Sequence, residues 1–333
     1  MTETGAAAST MRAIVQDRYG SADVFVLAQV ARPEIADNEV LVHVEAAGLD
    51  RGTRHMMAGR PYLLRLLGFG FRRPKNRVPG LDVAGTVIAV GSSVTRFSPG
   101  DEVFGISRGS FAEYAAVRED KLARKPANLT FEQAAVVPIS AGTALQALTD
   151  VGGIEKGQRV LIIGASGGVG SYAVQLAKAF GAEVTGVCST AKLDLVRSLG
   201  ADHVIDYTRE DFADGTRRYD VVLDIGGNSS LSRLRRALTP TGTLVIAGGE
   251  GGGRWLGGTD RQLRAMALSP FVGQRLTTFV SKEAGEDILV LAELVEAGKV
   301  TPAVDRTYPL GEAPEAVRYV EQGRARGTVV VSV

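Results

Sequence analysis

A run of branched apolar residues leads without a spacer into a glycine-rich turn near the middle of the chain. Its sequence is Arg159-Val-Leu-Ile-Ile-Gly-Ala-Ser-Gly-Gly-Val-Gly170. A buried strand that opens through glycines into a helix is typical of a turn that binds a dinucleotide, with the phosphates at the helix N-terminus. Gly164 permits the tight exit, Gly167 leaves room for a pyrophosphate and Gly170 lets the helix pack closely. We therefore predict cofactor contacts from Gly164, Ala165, Ser166, Gly167, Gly168, Val169 and Gly170.

The length and charge of the chain exclude several classes of protein. At 333 residues the chain is long for one hydrophobic core, so two domains are expected. Its 38 basic residues nearly balance 37 acidic ones, which leaves no general attraction for nucleic acid or an anionic membrane. The single cysteine, Cys188, excludes an intramolecular disulfide and fits a reducing compartment.

The composition of the N-terminus reveals no targeting signal. Residues 1–10 are small and polar and lack the basic and apolar regions of a secretory signal. We find no apolar stretch of the roughly 18 residues needed to span a bilayer. The expected protein is soluble and cytoplasmic, with a small-molecule substrate and neither a membrane nor a nucleic-acid partner.

The pattern of predicted elements changes after Pro126. Before it, short apolar segments separated by turns indicate a strand-rich region, which includes Phe111–Tyr114. After it, strands alternate with helices, as is typical of a parallel sheet. The last strand, Thr328–Val333, finds its simplest partner in the N-terminal region. The strands predicted after Pro126 are Val160–Ile163, Glu183–Val187, His203–Ile205, Val221–Asp224, Thr243–Ala247 and Leu276–Val280, and the helices between them are Ser171–Phe180, Ala191–Leu199 and Ser230–Leu238.

Six short motifs occur in order along the chain, at Gly80–Gly85, Pro99–Gly105, Gly109–Tyr114, Ala141–Ala144, Ala165–Gly170 and Gly200–Tyr207. With these motifs the chain resembles the medium-chain dehydrogenase/reductase superfamily, specifically its zinc-independent, quinone-oxidoreductase-like branch. The resemblance implies an α/β protein with a GroES-like β domain at residues 1–127 and 283–333. It also implies a Rossmann domain, with a doubly wound, parallel six-stranded sheet, at residues 128–282.

The chain departs from the zinc-dependent members of that superfamily at each ligand position. Asp50 stands where the first zinc cysteine is expected, Leu81 replaces the histidine and Asp82 replaces the glutamate. A catalytic zinc site needs three protein ligands. Although Asp50, His55 and Asp82 carry donor atoms, the leucine argues against a preserved site, so we predict no metal.

The end of the second strand of the Rossmann domain favours NADPH over NADH. It reads Val187-Cys-Ser-Thr190 and lacks the carboxylate that usually binds the ribose hydroxyls of NAD. Ser189, Thr190 and Lys192 offer hydroxyls and a positive charge for a 2′-phosphate, with helix capping by a hydroxyl and solvation of Lys192 as the less favoured alternative. The resemblance assigns cofactor binding to Lys192 and Tyr207, and we add Gly248 at the end of the fifth strand. Thr328 stands where the family has a lysine, which weakens a phosphate role for Arg326.

Hydride transfer to a carbonyl or enone leaves an oxyanion that needs a hydrogen-bond donor. Tyr62 is the first candidate by resemblance, and an ordinary packed or surface tyrosine is the alternative. Asp50 is the second candidate and Thr143 the third, because the motif of Thr143 lies near the nicotinamide in relatives. Trp255 and Phe271 are candidates to line an apolar substrate pocket.

These features lead to one main hypothesis and two alternatives. The main hypothesis is an NADPH-dependent, zinc-independent oxidoreductase that transfers hydride to quinones or α,β-unsaturated carbonyls. The alternatives are an NAD(P)-dependent alcohol or carbonyl dehydrogenase and a non-catalytic NADPH-binding regulatory protein. The way relatives associate implies a homodimer that pairs along Arg275–Val280.

Overall fold

The computed structural model describes residues 10–62, 65, 70–248, 255, 257–323 and 325–333. Within them lie two large sheets and a small antiparallel pair. The small pair joins β1 (Thr10–Val15) to β2 (Val26–Ala31). The helices are α1 (Arg51–Ala58), α2 (Phe131–Ala134), α3 (Pro138–Gln146), α4 (Gly168–Ala179), α5 (Leu193–Ser198), α6 (Leu231–Ala237), α7 (Thr259–Leu268), α8 (Gly285–Glu296) and α9 (Ala313–Glu321).

One large sheet has seven strands and unites the two ends of the chain. Its path is β14-β15-β3-β4-β5-β7, and β6 also pairs with β3. The last strand, β15, lies antiparallel to β3, with Val330 opposite Gly48, which confirms that the terminal segment returns to the N-terminal region. The domain boundaries at 127/128 and 282/283 stay a prediction. The strands are β3 (Glu39–Leu49), β4 (Asp82–Val90), β5 (Glu102–Ile106), β6 (Tyr114–Arg118), β7 (Leu122–Arg124), β14 (Val304–Pro309) and β15 (Thr328–Ser332).

The second large sheet is parallel, six-stranded and doubly wound, as predicted. The strand order is β10-β9-β8-β11-β12-β13. From β8 the chain adds strands first on one side, to β10, and then on the other, from β11 to β13, so the strand order reverses between β8 and β11. In such sheets a ligand binds at that reversal, beyond the carboxyl ends of the strands. The strands are β8 (Arg159–Ile163), β9 (Glu183–Cys188), β10 (His203–Asp206), β11 (Tyr219–Asp224), β12 (Leu238–Ile246) and β13 (Arg275–Thr278).

A single buried cluster runs through both sheets. Ala84 and Phe104 of the seven-stranded sheet belong to it together with Val160 and Leu223 of the parallel sheet. Tyr172 of α4 lies between them, fully buried, and its hydroxyl donates to the Val136 carbonyl oxygen at 3.1 Å. Because packing in such a core is close, the two sheets hold a fixed relation along this seam.

Three details of the sequence analysis were wrong. Of the segment Phe111–Tyr114, only Tyr114 belongs to a strand of the sheet, as the first residue of β6, whereas the Phe111 carbonyl oxygen accepts from Ile14 N–H of β1. Helices α2, α3, α7 and α9 were also missed. The prediction that no apolar stretch is long enough to span a bilayer was also wrong by length and composition. The helical run Phe131–Val151 has 21 residues and a mean hydropathy of 1.2, although 72 % of its most apolar window is buried in the protein.

A buried ion pair fixes the loops at the carboxyl edge of the parallel sheet. Asp224, at the end of β11, is fully buried, and its Oδ2 lies 2.6 Å from Nη1 of Arg261 on α7. Arg261 also donates to the carbonyl oxygens of Ser229 and Gly248, at 2.7 and 2.9 Å. One guanidinium therefore holds the segments that follow β11 and β12.

Replacing Arg261 by methionine is expected to lower the free energy of unfolding by about 3–5 kcal/mol, because the Asp224 carboxylate is left buried without its partner. Urea denaturation measures the change. Arg264→Met is the matched control on the same helix, since Arg264 is 76 % exposed and its ion pair with Asp260 is long, at 3.5 Å. That control should change stability by less than about 1 kcal/mol. Equal effects of the two substitutions would contradict the role of the buried pair.

Candidate functional site

The glycine turn between β8 and α4 is built by close approach. Gly164 has a φ of +90°, which few other residues adopt. A Cβ atom at Gly170 would stand 2.1 Å from the Gly164 carbonyl oxygen. Packing within the protein therefore requires these two glycines, as the sequence analysis proposed.

Gly167 is different, because the protein itself leaves space there. Its φ of −86° is ordinary, and the nearest atom to an added Cβ is the Gly164 carbonyl oxygen at 3.5 Å. Gly167 is also the N-cap of α4, where no side chain caps the helix and the first turn carries no acidic residue. The N-terminus of a twelve-residue helix therefore presents N–H groups and the positive end of its dipole beside an open space, which fits a diphosphate. Of the other predicted turn residues, Ala165 and Ser166 are buried, and Gly168 and Val169 are partly buried.

Of the hydroxyls predicted to bind a 2′-phosphate, that of Thr190 already makes a hydrogen bond within the protein. Thr190 donates to Asp206, whose other oxygen accepts from Thr208 N–H at 3.0 Å and Thr208 Oγ1 at 2.7 Å. The hydrogen bond from Thr190 is the largest cause that lowers the pKa of Asp206. Ser189 is half-buried, and Tyr207 at the end of β10 is 57 % exposed.

Lys192 stands among other cations. Its Nζ donates to the carbonyl oxygens of Ala325 at 2.7 Å and Gly323 at 3.2 Å, so the C-terminal segment positions it. Burial lowers the pKa of Lys192 most, and the positive charges of Arg51 and Arg326 lower it further, while Asp305 opposes them. The sequence analysis discounted Arg326, yet the fold brings it near Lys192. A further member of its motif, Arg324, lies outside the described residues.

Gly248 lies two residues beyond the end of β12, against the segment that follows β11. A Cβ atom there would stand 2.1 Å from the Ile225 carbonyl oxygen, so packing alone accounts for this glycine. The loop that follows carries Trp255, which is 72 % exposed, whereas residues 249–254 and 256 lie outside the described residues. Phe271 is 84 % exposed in the turn before β13, which is an outer edge of the sheet and not an enclosed pocket.

The three candidate donors occupy separate places, and no hydrogen bond joins any two of them. Asp50 caps α1, where Oδ1 accepts from Thr53 N–H at 2.7 Å and Thr53 Oγ1 at 2.8 Å. Thr143 on α3 bonds the Ile139 carbonyl oxygen at 2.7 Å and Ser281 Oγ at 3.1 Å. Tyr62 packs edge-on against Trp255, with ring centroids 5.3 Å apart. This last contact joins the segment after α1 to the loop after β12.

Sequence reasoning missed the environment of Asp82. This residue begins β4 and is 1 % exposed, and its Oδ1 accepts from Ile139 N–H, at the start of α3, at 2.8 Å. Its Oδ2 is buried without a hydrogen bond. Burial raises the pKa of Asp82 well above its usual value, and the nearby Asp50 raises it further. Asp82 is therefore a buried carboxyl group with a raised pKa, and no sequence pattern marks it as one.

These residues do not fit a zinc ion. Among the described residues, no three His, Cys, Asp or Glu side chains come together as a metal requires. Asp50 is used as a helix cap, Asp82 holds α3, and His55 Nδ1 lies 3.1 Å from the Arg60 carbonyl oxygen. Burial also raises the pKa of the Cys188 thiol to about 11, which disfavours the thiolate that a metal binds.

The raised pKa of Asp82 predicts a stability that depends on pH. An acid whose pKa is raised by folding contributes most stability below its unfolded pKa, near 3.9, and loses it as pH rises towards the folded value. Asp82→Asn cannot titrate and keeps an acceptor for Ile139 N–H. The variant should therefore gain stability relative to the natural protein by up to about 1.4 kcal/mol per pH unit above pH 4. Urea denaturation at pH 4.5, 6 and 7.5 tests this, and a difference that stays constant with pH would show that Asp82 is charged.

Two family models match the chain. The alcohol dehydrogenase GroES-like domain matches residues 36–127, and the zinc-binding dehydrogenase domain matches residues 199–331. Together they include strands from both large sheets.

Relatives match over nearly the whole length. The chain is 35 % identical over 369 residues to the Mus musculus protein named NAD(P)H oxidoreductase RTN4IP1, mitochondrial, with 100 % of this chain and 92 % of that protein covered. It is 37 % identical to 2-methylene-furan-3-one reductase of Solanum lycopersicum, with 97 % and 79 % covered. The solved structure of the quinone oxidoreductase from Coxiella burnetii superposes with a TM-score of 0.86 at 30 % identity, with 98 % and 100 % covered. With this turn, these sheets and these relatives, the chain belongs to the quinone-oxidoreductase-like branch of the medium-chain dehydrogenase/reductase superfamily and is a nicotinamide-dependent oxidoreductase.

Proposed function

We propose that this protein is a zinc-free, NADPH-dependent reductase of α,β-unsaturated carbonyls or quinones. One observation carries the proposal: the uncapped N-terminus of α4, opened by Gly167, lies on the same edge of the sheet as Lys192, which has cationic neighbours. The first feature suits a diphosphate, and the second suits the additional phosphate of NADPH. The names of two relatives point the same way, namely 2-methylene-furan-3-one reductase and the NADPH-dependent alkenal/one oxidoreductase of Arabidopsis thaliana.

The chain's own residues have distinct tasks in this reaction. Bound NADPH supplies a hydride, and backbone N–H groups of α4 hold its diphosphate. Lys192, with Arg51 and Arg326, neutralises the 2′-phosphate. As the substrate accepts the hydride, negative charge develops on its oxygen and needs a hydrogen-bond donor. Tyr62 carries a hydroxyl for that purpose, and Thr143 would have to give up its hydrogen bond to the Ile139 carbonyl oxygen to serve as a donor. Asp50, which caps α1, acts through the position of that helix.

The aromatic pair of Tyr62 and Trp255 supports a flat, conjugated substrate. The two rings meet edge to face across segments that follow α1 and β12. Arg65 lies over the Tyr62 ring, with its guanidinium carbon 4.7 Å from the ring centroid. An apolar surface of this shape packs against planar enones and quinones, while the nearby cation favours oxygen atoms that become negative.

An alcohol or carbonyl dehydrogenase is the second candidate. It is favoured by the solved structure named NAD-dependent alcohol dehydrogenase, which superposes with a TM-score of 0.84 at 30 % identity over 97 % of this chain. The hydrogen bonds that Asp50 accepts from Thr53 and Asp82 accepts from Ile139 weigh against it. They engage both carboxyl groups in holding helices, which leaves these two residues without a metal site that could polarise an alcohol oxygen.

We also propose a cytoplasmic homodimer. Strand β13 is an edge of the parallel sheet, and Phe271 and Val280 near it are 84 % and 86 % exposed. An unpaired edge flanked by exposed apolar side chains favours pairing with a second copy. The cytoplasmic location stays a prediction from composition, since several relatives bear mitochondrial or chloroplastic names.

The activity is tested by following nicotinamide absorbance with NADPH or NADH, in the presence of chelator. The acceptors are 1,4-benzoquinone, 9,10-phenanthrenequinone and simple enones, and alcohols with NADP⁺ or NAD⁺ serve as the comparison. We expect chelator-resistant oxidation of NADPH by enones or quinones. Turnover of alcohols alone would support the dehydrogenase, and cofactor binding without turnover across the whole panel would support the non-catalytic alternative.

Cofactor preference is tested at Lys192. Lys192→Met should weaken NADPH binding by about tenfold to a hundredfold, because a charged hydrogen bond to the 2′-phosphate is lost. NADH binding should change less than about twofold, since that ligand lacks this phosphate. Lys178→Met is the control, because Lys178 is a helix α4 lysine that pairs with Asp202 at 2.8 Å. An equal loss for both cofactors in Lys192→Met would contradict the assignment.

A further inference from the structure

Arg65 is a half-buried cation held between two tyrosine rings. Its guanidinium carbon lies 4.3 Å from the centroid of the Tyr19 ring and 4.7 Å from that of the Tyr62 ring. Its Nε donates to the Gly59 carbonyl oxygen at 2.8 Å. Gly59, the C-cap of α1, makes the close approach possible, because a Cβ atom there would stand 2.5 Å from the Tyr19 ring and 2.8 Å from Arg65 Nε. The two rings and this hydrogen bond fix the plane of the guanidinium.

One nitrogen of this guanidinium, Nη1, has no partner in the part of the chain that the structure describes. Nε and Nη2 face the carbonyl oxygens of Gly59 and Ala58, and no carboxylate of the described residues forms an ion pair with Arg65. Nη1 is also absent from the unpaired polar atoms that the fold buries, so it reaches open space. Charges removed from water are normally paired, because their desolvation is costly. An accessible, unpaired guanidinium nitrogen therefore suits a ligand oxygen that carries negative charge.

The loop that follows β12 brings this cation to the functional edge of the parallel sheet. Trp255 of that loop meets the Tyr62 ring edge to face, with centroids 5.3 Å apart. A second contact lies beside it, since a Cβ atom at Gly257 would stand 2.8 Å from the Pro61 side chain. The loop leaves β12 at the carboxyl ends of the strands, where ligands bind in sheets of this kind. Arg65 thus lies next to the aromatic surface already assigned to the substrate.

We propose that Arg65 is a catalytic residue, which donates a hydrogen bond from Nη1 to the carbonyl oxygen of the enone or quinone. The proposal rests on the proposed function, because it concerns the same substrate. When an enone accepts the hydride at its β-carbon, the electron pairs shift along the conjugated system and give an enolate, whose α-carbon then takes a proton from water. A quinone becomes a hydroquinone anion, which is protonated in the same way. Arg65 keeps its own protons and stabilises the anion by charge and hydrogen bonding.

This assignment divides the work among the neighbouring residues. Lys192 belongs to the 2′-phosphate site after β9, so Arg65 is left for the other reactant. A charged donor forms a hydrogen bond roughly twice as strong as a neutral one, so Arg65 contributes more to the oxyanion than the Tyr62 hydroxyl does. The Tyr62 ring then serves mainly to hold the guanidinium in its plane.

The kinetic test compares Arg65→Ala with the natural protein in the reduction of a simple enone by NADPH. The kcat should fall by about 10²–10³, as is typical for the loss of one donor to an oxyanion. The KM for the enone and the Kd for NADPH should change less than about threefold, because the interaction strengthens only as charge develops. Added methylguanidinium should restore part of the kcat of Arg65→Ala. Arg72→Ala is the matched control, since Arg72 is an exposed arginine of the same segment, and it should keep the natural kcat.

A binding test needs no turnover. Trp255 is the only tryptophan of the chain, so quenching of its fluorescence reports directly on this site. The ligands are 4-nitrophenolate, a planar ring that carries an oxyanion, and nitrobenzene, which lacks that oxygen. Arg65→Ala should raise the Kd of 4-nitrophenolate by about tenfold or more and leave that of nitrobenzene unchanged. Should Arg65→Ala fail to fold, Arg65→Lys takes its place with the same two ligands, because lysine keeps the charge but lacks the planar fork.

The outcomes separate this proposal from the proposed function. If the natural protein reduces enones or quinones with NADPH and Arg65→Ala keeps its kcat, this proposal is wrong and the proposed function stands. A loss of kcat that methylguanidinium does not restore, with equal weakening of both aromatic ligands, would also overturn it, because Arg65 would then only shape the pocket. If the natural protein reduces neither class of acceptor with NADPH, both proposals fail.

Discussion

The close contact between the end of β8 and the start of α4 determines the rest of the functional edge. A Cβ atom at Gly170 would stand 2.1 Å from the Gly164 carbonyl oxygen, so only glycine fits there. The start of α4 therefore meets the end of β8 with no side chain between them. The helix dipole and its free N–H groups are therefore directed at one small volume. The segments that end β9, β11 and β12 all border it, since parallel strands share a carboxyl edge.

Helix α3 transmits this geometry to the other sheet. Asp82 of β4 holds its first turn through Ile139 N–H, and Thr143 reaches Ser281 beyond β13. Gln146 then accepts from Lys282 N–H at 2.9 Å and donates to the Lys282 carbonyl oxygen at 2.9 Å. Thr143 and Gln146 together hold Ser281 and Lys282, where the chain passes from the parallel sheet back towards the N-terminal region. The position of a substrate donor on α3, such as Thr143, thus depends on residues of both sheets.

The sequence predicted well what depends on local pattern. Strands β8 to β13 contain short apolar runs, and the glycine turn after β8 is a local arrangement, so both were found from the chain alone. The pairing of β15 with β3 came from the need of a lone strand for a partner. By contrast, Ser140, Asp82 and Thr328 are remote from one another in sequence and carry no pattern. Only the tertiary fold shows that two of them face Gly168 and that the third is a buried acid. Arg326 comes near Lys192 only in the folded protein, because the two residues lie far apart in the chain.

The buried carboxyls each hold the start of a helix. Asp50 caps α1, and Asp82 accepts from Ile139 N–H at the start of α3. Burial raises the pKa of Asp82 well above its usual value, and the nearby Asp50 raises it further. In the proposed zinc-free reaction, the negative charge on the substrate oxygen would be stabilised by N–H and O–H donors. Such donors suffice for an enone or quinone, whose conjugation spreads the developing charge, better than for an isolated alcohol, whose oxygen carries it alone.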